Sequence, residues 1–174
     1  MNFSLQRSIQ VLERTPSVLR ASLSHLDYFW TENNYGDKTF SPFDVVGHLV
    51  HAERTNWMIR ARMIAEGNKM TPFPAFDRYA MHETSKGKDL ADLLDEFASE
   101  RAKNISDLRA MNLDETQLEM QGTHPDFGRV TLRELLATWV VHDLNHLHQI
   151  AKSMAWQYRE DVGPWRAFLS ILPK

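Results

Sequence analysis

Apolar residues recur at helical spacing along most of the chain. Leu5, Ile9 and Leu12, then Leu19, Leu23, Leu26 and Trp30, stand three, four or seven residues apart, as one buried helix face requires. Pro16 interrupts this run. It removes a backbone donor and crowds the preceding turn, so the helix is expected to kink there or to restart at Pro16 after a Thr15 cap. Residues 31–40 form a polar loop. Ser41-Pro42-Phe43-Asp44 then reads as a helix start: Ser41 can accept from an early backbone N–H, Pro42 suits the first helical position, and Asp44 favours the positive end of the dipole. This second helix is expected to run to about Glu66, ahead of Gly67-Asn68. Residues 68–88 carry two prolines and three aromatics with no clean period, a long connection that packs its own side chains. A third helix, roughly 88–111, shows the stripe Leu90, Leu93, Leu94, Phe97, Arg101, Ile105 and Leu108. Gly122 to Gly128 suit a turn or hairpin. Thr131-Leu132-Arg133-Glu134 has the capping-box pattern, and Leu132, Leu135, Trp139, His142, His146 and Ile150 continue on one face to about Trp156. The tail from Gly163 to Leu169 is a short amphipathic piece suited to capping a bundle.

Four helices with long connections fit an all-α bundle, although pattern alone does not fix their order. Composition agrees. The 174 residues are read as one domain, and seven glycines with seven prolines fall below the average usage of roughly 7% and 5%, against a turn-rich β fold. There is no cysteine, which removes disulfides, thiol nucleophiles and Cys-ligated zinc, so any metal site must use His, Asp or Glu. A net charge of −3 offers no general attraction for nucleic acid or an anionic membrane, which leaves a small molecule as the expected partner. No apolar run approaches the ~18 residues of a spanning helix, and the N-terminal stretch lacks the apolar core of a signal peptide. A soluble, cytoplasmic protein is expected. No G-x-G-x-x-G, Walker or G-x-S-x-G pattern supports nucleotide binding or serine hydrolysis.

The chemical signal lies in the eight histidines. His142 and His146 are i and i+4, so their rings share a face within chelating distance of one ion. His142 lies seven residues after Leu135, and His146 seven after Trp139 and four before Ile150, so both stand where the stripe should stay apolar. Two imidazoles in a core cost several kcal/mol of unsatisfied polarity unless something accepts their lone pairs. A metal ion would do so, as would hydrogen bonds to carbonyls or bridging water. The second helix offers a third ligand in His48 or His51. His48 shares a face with Val45, Ala52, Ile59 and Met63; His51 is turned toward Val50 and Trp57, which favours His48 slightly. Three imidazoles would leave open coordination positions, and without sulfur they do not distinguish Zn, Ni, Fe or Mn. Because free histidine titrates near 6.5, occupancy is expected to fall below about pH 6.

These residues carry a resemblance. The stretch from Ser41 to Thr55, containing Gly47-His48-Leu49-Val50-His51, and the stretch from Phe127 to Leu132 running into His142-Asp143-Leu144-Asn145-His146-Leu147-His148-Gln149-Ile150 resemble the DinB/YfiT-like superfamily of proposed metal-dependent enzymes. Carried over residue by residue, the metal triad of that superfamily falls on His48, His142 and His146. The resemblance spans nearly the whole chain and implies a single domain over residues 1–174, an up-up-down-down four-helix bundle with a long loop between helices 2 and 3. It implies a divalent metal ion, a thiol-dependent transferase that draws on a low-molecular-weight thiol, or a hydrolase, acting on a small molecule, and a homodimer. The alternative is a non-catalytic, stress-related metal-binding bundle. Surplus aromatics (Trp30, Trp57, Trp139, Trp156 and Trp165) also point to a covered face.

Other polar residues have blander readings. Glu53 is expected at the surface or in an ion pair rather than as a general base, and Asp143 off the core face as a solvated carboxylate rather than as an acceptor orienting an imidazole of a neighbouring helix. Gln149 could hydrogen-bond near the site or satisfy a loop carbonyl. His124-Pro125 suits a turn; Arg54, Arg60 and Arg62 suit a solvated basic face, the alternative being a cluster that meets an acidic thiol cofactor or substrate; and the roles of His51 and His148 stay open.

Overall fold

A computed structural model describes residues 3–173. Its elements are α1 (Leu5–Leu23), α2 (Tyr28–Thr31), α3 (Pro42–Thr55), α4 (Trp57–Ala65), α5 (Met81–Thr84), α6 (Leu90–Ala110), α7 (Glu115–Leu118), strands β1 (Gln121–His124) and β2 (Gly128–Thr131), α8 (Leu132–Gln157) and a 3₁₀ turn at Gly163–Phe168. The bundle proper is α1, the α3–α4 pair, α6 and α8. Each start is capped by a short side chain: Ser4 accepts from Arg7 N, while Ser41 with Asp44, Asp89 with Asp92 and Thr131 with Glu134 form capping boxes.

Two helices depart from the periodicity reading. α1 is continuous through Pro16, with no restart. Pro16 has no N–H to offer the Leu12 carbonyl four residues back, and that carbonyl instead accepts from Arg101 Nη1 at 2.8 Å. The second helix is interrupted at Asn56, whose φ of −118° and ψ of −75° depart from regular helix values, so it divides into α3 and α4 where periodicity shows no break.

Ion pairs fix the directions of the helices. Arg20 pairs with Asp95 and Glu13 with Arg109, so α1 and α6 run antiparallel. Arg54 reaches Glu96 and Glu100 while Arg62 reaches Asp107, so α3–α4 run parallel to α6. Arg133, at the start of α8, lies over Phe3, and Ser153 Oγ near its end donates to Asn33 O beyond the end of α1, so α8 runs parallel to α1. The order is therefore up-down-down-up, which corrects the expected up-up-down-down while keeping the four-helix bundle and the long connection between its second and third helices. A parallel pair of consecutive helices needs a crossover. Residues 66–89 provide it, since that many residues can span far more than the ~32 Å length of a 21-residue helix.

The core falls into two clusters. One gathers Ile9, Leu12, Trp57, Ile64, Ile105, Leu108, Leu135 and Trp139; the other Leu19, Leu23, Val45, Val46, Leu49, Leu93, Phe97 and Ile150. The crossover is stitched to the β-hairpin by Phe73 N donating to Thr123 O at 2.9 Å. Gly122 permits this: a Cβ there would lie 2.6 Å from Phe73 and 2.8 Å from Ile64. Among the described residues no helix is long and apolar enough to cross a membrane.

Candidate metal centre

α3 and α8 are antiparallel neighbours, and their facing sides bring His48, His142 and His146 together. The Nε2 atom of His142 lies 3.3 Å from that of His48 and 3.1 Å from that of His146. One nitrogen from each ring falls within 4.8 Å of the others. The outer nitrogens decide the tautomers. His48 Nδ1 faces the Arg78 carbonyl oxygen at 3.3 Å and His146 Nδ1 faces Gln149 Oε1 at 2.8 Å. Carbonyl oxygens only accept, so both Nδ1 atoms carry the proton and both Nε2 atoms present bare lone pairs to the cluster. His142 can donate to one of them at most, and its own Nδ1 is buried without a partner.

Burial pushes the His48 imidazolium pKa down to about 4, with His146 adding repulsion, and that of His142 down to about 2. Burial also lowers that of His146, against the opposing hydrogen bond that its ring donates to Gln149 Oε1. All three rings are therefore neutral at neutral pH, the form that binds metal. The donor set fits a divalent ion: three nitrogens converge, two are oriented by carbonyl acceptors in the manner usual for metal-ligating histidines, and no proton arrangement satisfies them internally. The depressed pKa values also revise the sequence expectation for proton competition, moving its onset below pH 6.

Beneath the histidines lies a buried ionic cluster that sequence reasoning missed. Arg101 donates to Asp143 Oδ2 at 2.6 Å and Oδ1 at 3.0 Å, and to Glu53 Oε1 at 2.8 Å. Asn104 Nδ2 donates to Glu53 Oε2 at 2.9 Å, and Trp139 Nε1 to Glu53 Oε1 at 3.0 Å. Burial works to lower the Arg101 pKa, and the two carboxylates more than offset it, so the guanidinium stays charged. Asp143 is thus fully buried rather than solvated, and Glu53 is the ion-paired residue of the two readings offered for it. Asp143 occupies the α8 core face because Trp139, four residues back, and Ile150, seven on, flank it on the same stripe. The signal was a charge in an apolar stripe, present in sequence at Arg101 too. Trp139 in turn stacks on Trp57 at 5.6 Å, and Trp57 meets the His142 ring edge-on at 5.0 Å, linking the ionic cluster to the site.

The three histidines open onto a cavity of about 640 Å³ between α8, the α3–α4 break, the crossover and the hairpin. Phe40, Trp57, Phe73, Phe76 and Phe127 form much of its wall. His124 lines it while its Nδ1 accepts from Asp126 N at 3.1 Å, the turn role expected. His148 lines the mouth and is exposed. His51 stays outside the cluster, half-buried against Phe76 at 5.2 Å and near Thr55 Oγ1. Gln149 serves His146. Of the three arginines read as a solvated face, Arg54 and Arg62 are paired with acidic residues of α6, but Arg60 is buried and lines the cavity.

A helical bundle with three convergent histidines is a recognisable class, and the comparisons agree with it. Residues 11–150 match the profile of the DinB superfamily, and the chain belongs to that superfamily. A solved structure described as "YfiT from Bacillus subtilis is a probable metal-dependent hydrolase with an unusual four-helix bundle topology" superposes with a TM-score of 0.74 at 24% identity, over 92% of this chain and 91% of that one. That likeness establishes a shared fold. No curated protein matches the sequence.

Proposed function

We propose that this chain is a metal-dependent hydrolase of a small molecule in which His48, His142 and His146 hold a single divalent ion. The carrying observation is the convergence of three neutral imidazoles whose two outer nitrogens are already engaged by carbonyl oxygens. A bound ion supplies Lewis-acid polarisation of a coordinated oxygen or sulfur. The chain does the rest. Gln149 and the Arg78 carbonyl hold two rings in orientation, and the aromatic side chains give the cavity an apolar wall beside them. An open cavity over the histidines favours a reacting site over a closed structural staple, which needs no room for a substrate. The same donor set would serve transfer of a low-molecular-weight thiol, which this cysteine-free chain would take from solution. We also infer a homodimer, supported by Val141 and Leu144, 63% and 50% exposed on the outer face of α8.

Elemental analysis of protein made without a polyhistidine tag tests the reading. One divalent ion per chain is expected, lost together with activity in His146→Ala while the far-ultraviolet circular dichroism stays helical. Failure to retain Zn, Ni, Fe or Mn after reconstitution at neutral pH would overturn it. Activity is scored on ester and amide panels with and without added thiol, so that hydrolysis and thiol transfer are told apart.

A further inference from the structure

Among the described residues two arginines have little exposed surface, Arg101 in the core and Arg60 on the cavity wall, and their surroundings differ. Arg101 makes four hydrogen bonds, three of them to carboxylates. Arg60 is 7% exposed, yet no carboxylate lies within ion-pair distance of it among the described residues. Its one acceptor is the Pro74 carbonyl at 3.3 Å, out of five N–H donors. Burial lowers its pKa, and Asp126, too distant for an ion pair, is the acidic group that acts against this. Its other guanidinium nitrogens face the cavity rather than the packed core, so an anion entering that cavity meets an uncompensated cation in partly desolvated surroundings.

The guanidinium is nonetheless held in place. Its Cζ lies over the Phe73 ring, 5.3 Å from the centroid, a cation–π contact that holds it against the cavity wall. Its side chain lines the same cavity as the three histidines. One turn earlier, Asn56 Oδ1 and Trp57 Nε1, from two residues that also line the cavity, have no partner, so polar capacity at the α3–α4 break goes unused. Two carboxylates stand near this end, Asp126 and the cavity-lining Glu134, and neither lies within ion-pair distance of Arg60, which is the cation on this side of the cavity. His124 is held neutral, its pKa lowered by burial and by Arg60, while Glu134 stays charged and spends its carboxylate on the Thr131 N–H and hydroxyl. The other cations lining the cavity, Arg78 and Lys152, lie elsewhere, against Phe40 and Tyr79 and against Tyr35.

From these observations we propose that Arg60 binds a carboxylate of the substrate, so that the cavity takes a small organic acid with an apolar or aromatic body. A planar fork of donors matches a carboxylate bidentately, and one positive charge matches one negative charge; the neighbouring aromatics accommodate the body. The inference deepens the proposed function, since it assigns the substrate class of that same cavity.

Calorimetric titration in excess chelator separates the two readings, because binding to Arg60 needs no metal. The probes are 4-phenylbutyrate and its neutral isostere 4-phenylbutanamide. Wild type is expected to prefer the carboxylate by about tenfold or more, the worth of a charge-assisted hydrogen bond. Arg60→Met should erase that preference and leave amide binding unchanged, while Lys152→Met should preserve it. Arg60→Lys, which keeps the charge and loses the fork, should narrow it without abolishing it, and it serves if the methionine variant misfolds. Equal affinity for the two probes in wild type, or an unchanged preference in either Arg60 variant, would overturn the proposal whatever the metal content. Metal-free carboxylate binding that depends on Arg60 in a protein that retains no metal would sustain it while overturning the metalloenzyme reading.

Discussion

Replacing Arg101 by methionine should destabilise the bundle far more than any other single arginine loss. The side chain is 1% exposed and compensates two carboxylates, Glu53 and Asp143, that are themselves fully buried. Methionine keeps much of the volume but removes four hydrogen bonds, taking the guanidinium donor from Asp143 and the Leu12 carbonyl and leaving Glu53 with the neutral donors Asn104 and Trp139 and no counter-charge. Breaking a buried pair from one side costs about 3–5 kcal/mol. For a domain of this size, at about 2–4 °C per kcal/mol, the melting temperature should drop by roughly 6–20 °C. Arg54→Met is the control. Its pairs with Glu96 and Glu100 are partly solvated, and their loss should cost about 1 kcal/mol or less. Urea and thermal unfolding followed by circular dichroism measure both. Adding Glu53→Gln and Asp143→Asn to Arg101→Met should recover part of the loss, because uncompensated charge is its main source. A difference between the two arginine variants under about 1 kcal/mol, or no recovery in the triple variant, would refute the assignment of the cluster as a coupled ionic unit.

The metal-free protein should lose stability as pH falls from 6.5 toward 4. The folded-state pKa values of His48 and His142, about 4 and about 2, lie below their ordinary 6.5, so the unfolded chain takes up protons that the folded one refuses. Their contribution is complete above 6.5 and lost on acidification, and urea midpoints across that range should fall less steeply in a His48→Gln, His142→Gln variant; an equal slope would contradict the shifts. Sedimentation equilibrium should give twice the 20.2 kDa chain mass, and Val141→Glu should return a monomer; a concentration-independent single-chain mass for the wild type would exclude the dimer.

Much of the site was legible because helical periodicity fixes which residues share a face. His142 and His146 announced themselves by standing in an apolar stripe; His48 was only slightly preferred to His51 by sharing a face with Val45 and Ala52, and the family resemblance made the choice. Arg101 carried the same signal on the third bundle helix, and its meaning emerges only with its partners, which come from α3 and α8. Asp143 was misplaced because adjacent residues on a helix lie about 100° apart, and assigning His142 to the centre of the stripe pushed Asp143 off it. In the structure His142 sits at the edge of that stripe, half-buried, and Asp143 at its centre. The break at Asn56 had no sequence signal of the Gly or Pro kind. Helix direction was beyond reach for a different reason: an apolar stripe is the same whichever way a helix runs.

Direction nonetheless matters to the chemistry. Because α3–α4 and α6 are parallel, the chain between them must travel back along the bundle, and it does so across the opening above the histidines. That passage supplies Phe73 beneath Arg60, Phe76 against His48 and the Arg78 carbonyl that fixes the His48 tautomer. An antiparallel α4–α6 pair could be joined by a short turn, which would leave His48 Nδ1 without that acceptor and the cavity without one wall. The hairpin acts in the same place from the other side, since the Phe73 N–H to Thr123 bond anchors the crossover where Gly122 lets it approach α4. The long connection is therefore a part of the site, and the helix order that requires it also orients one of the three rings.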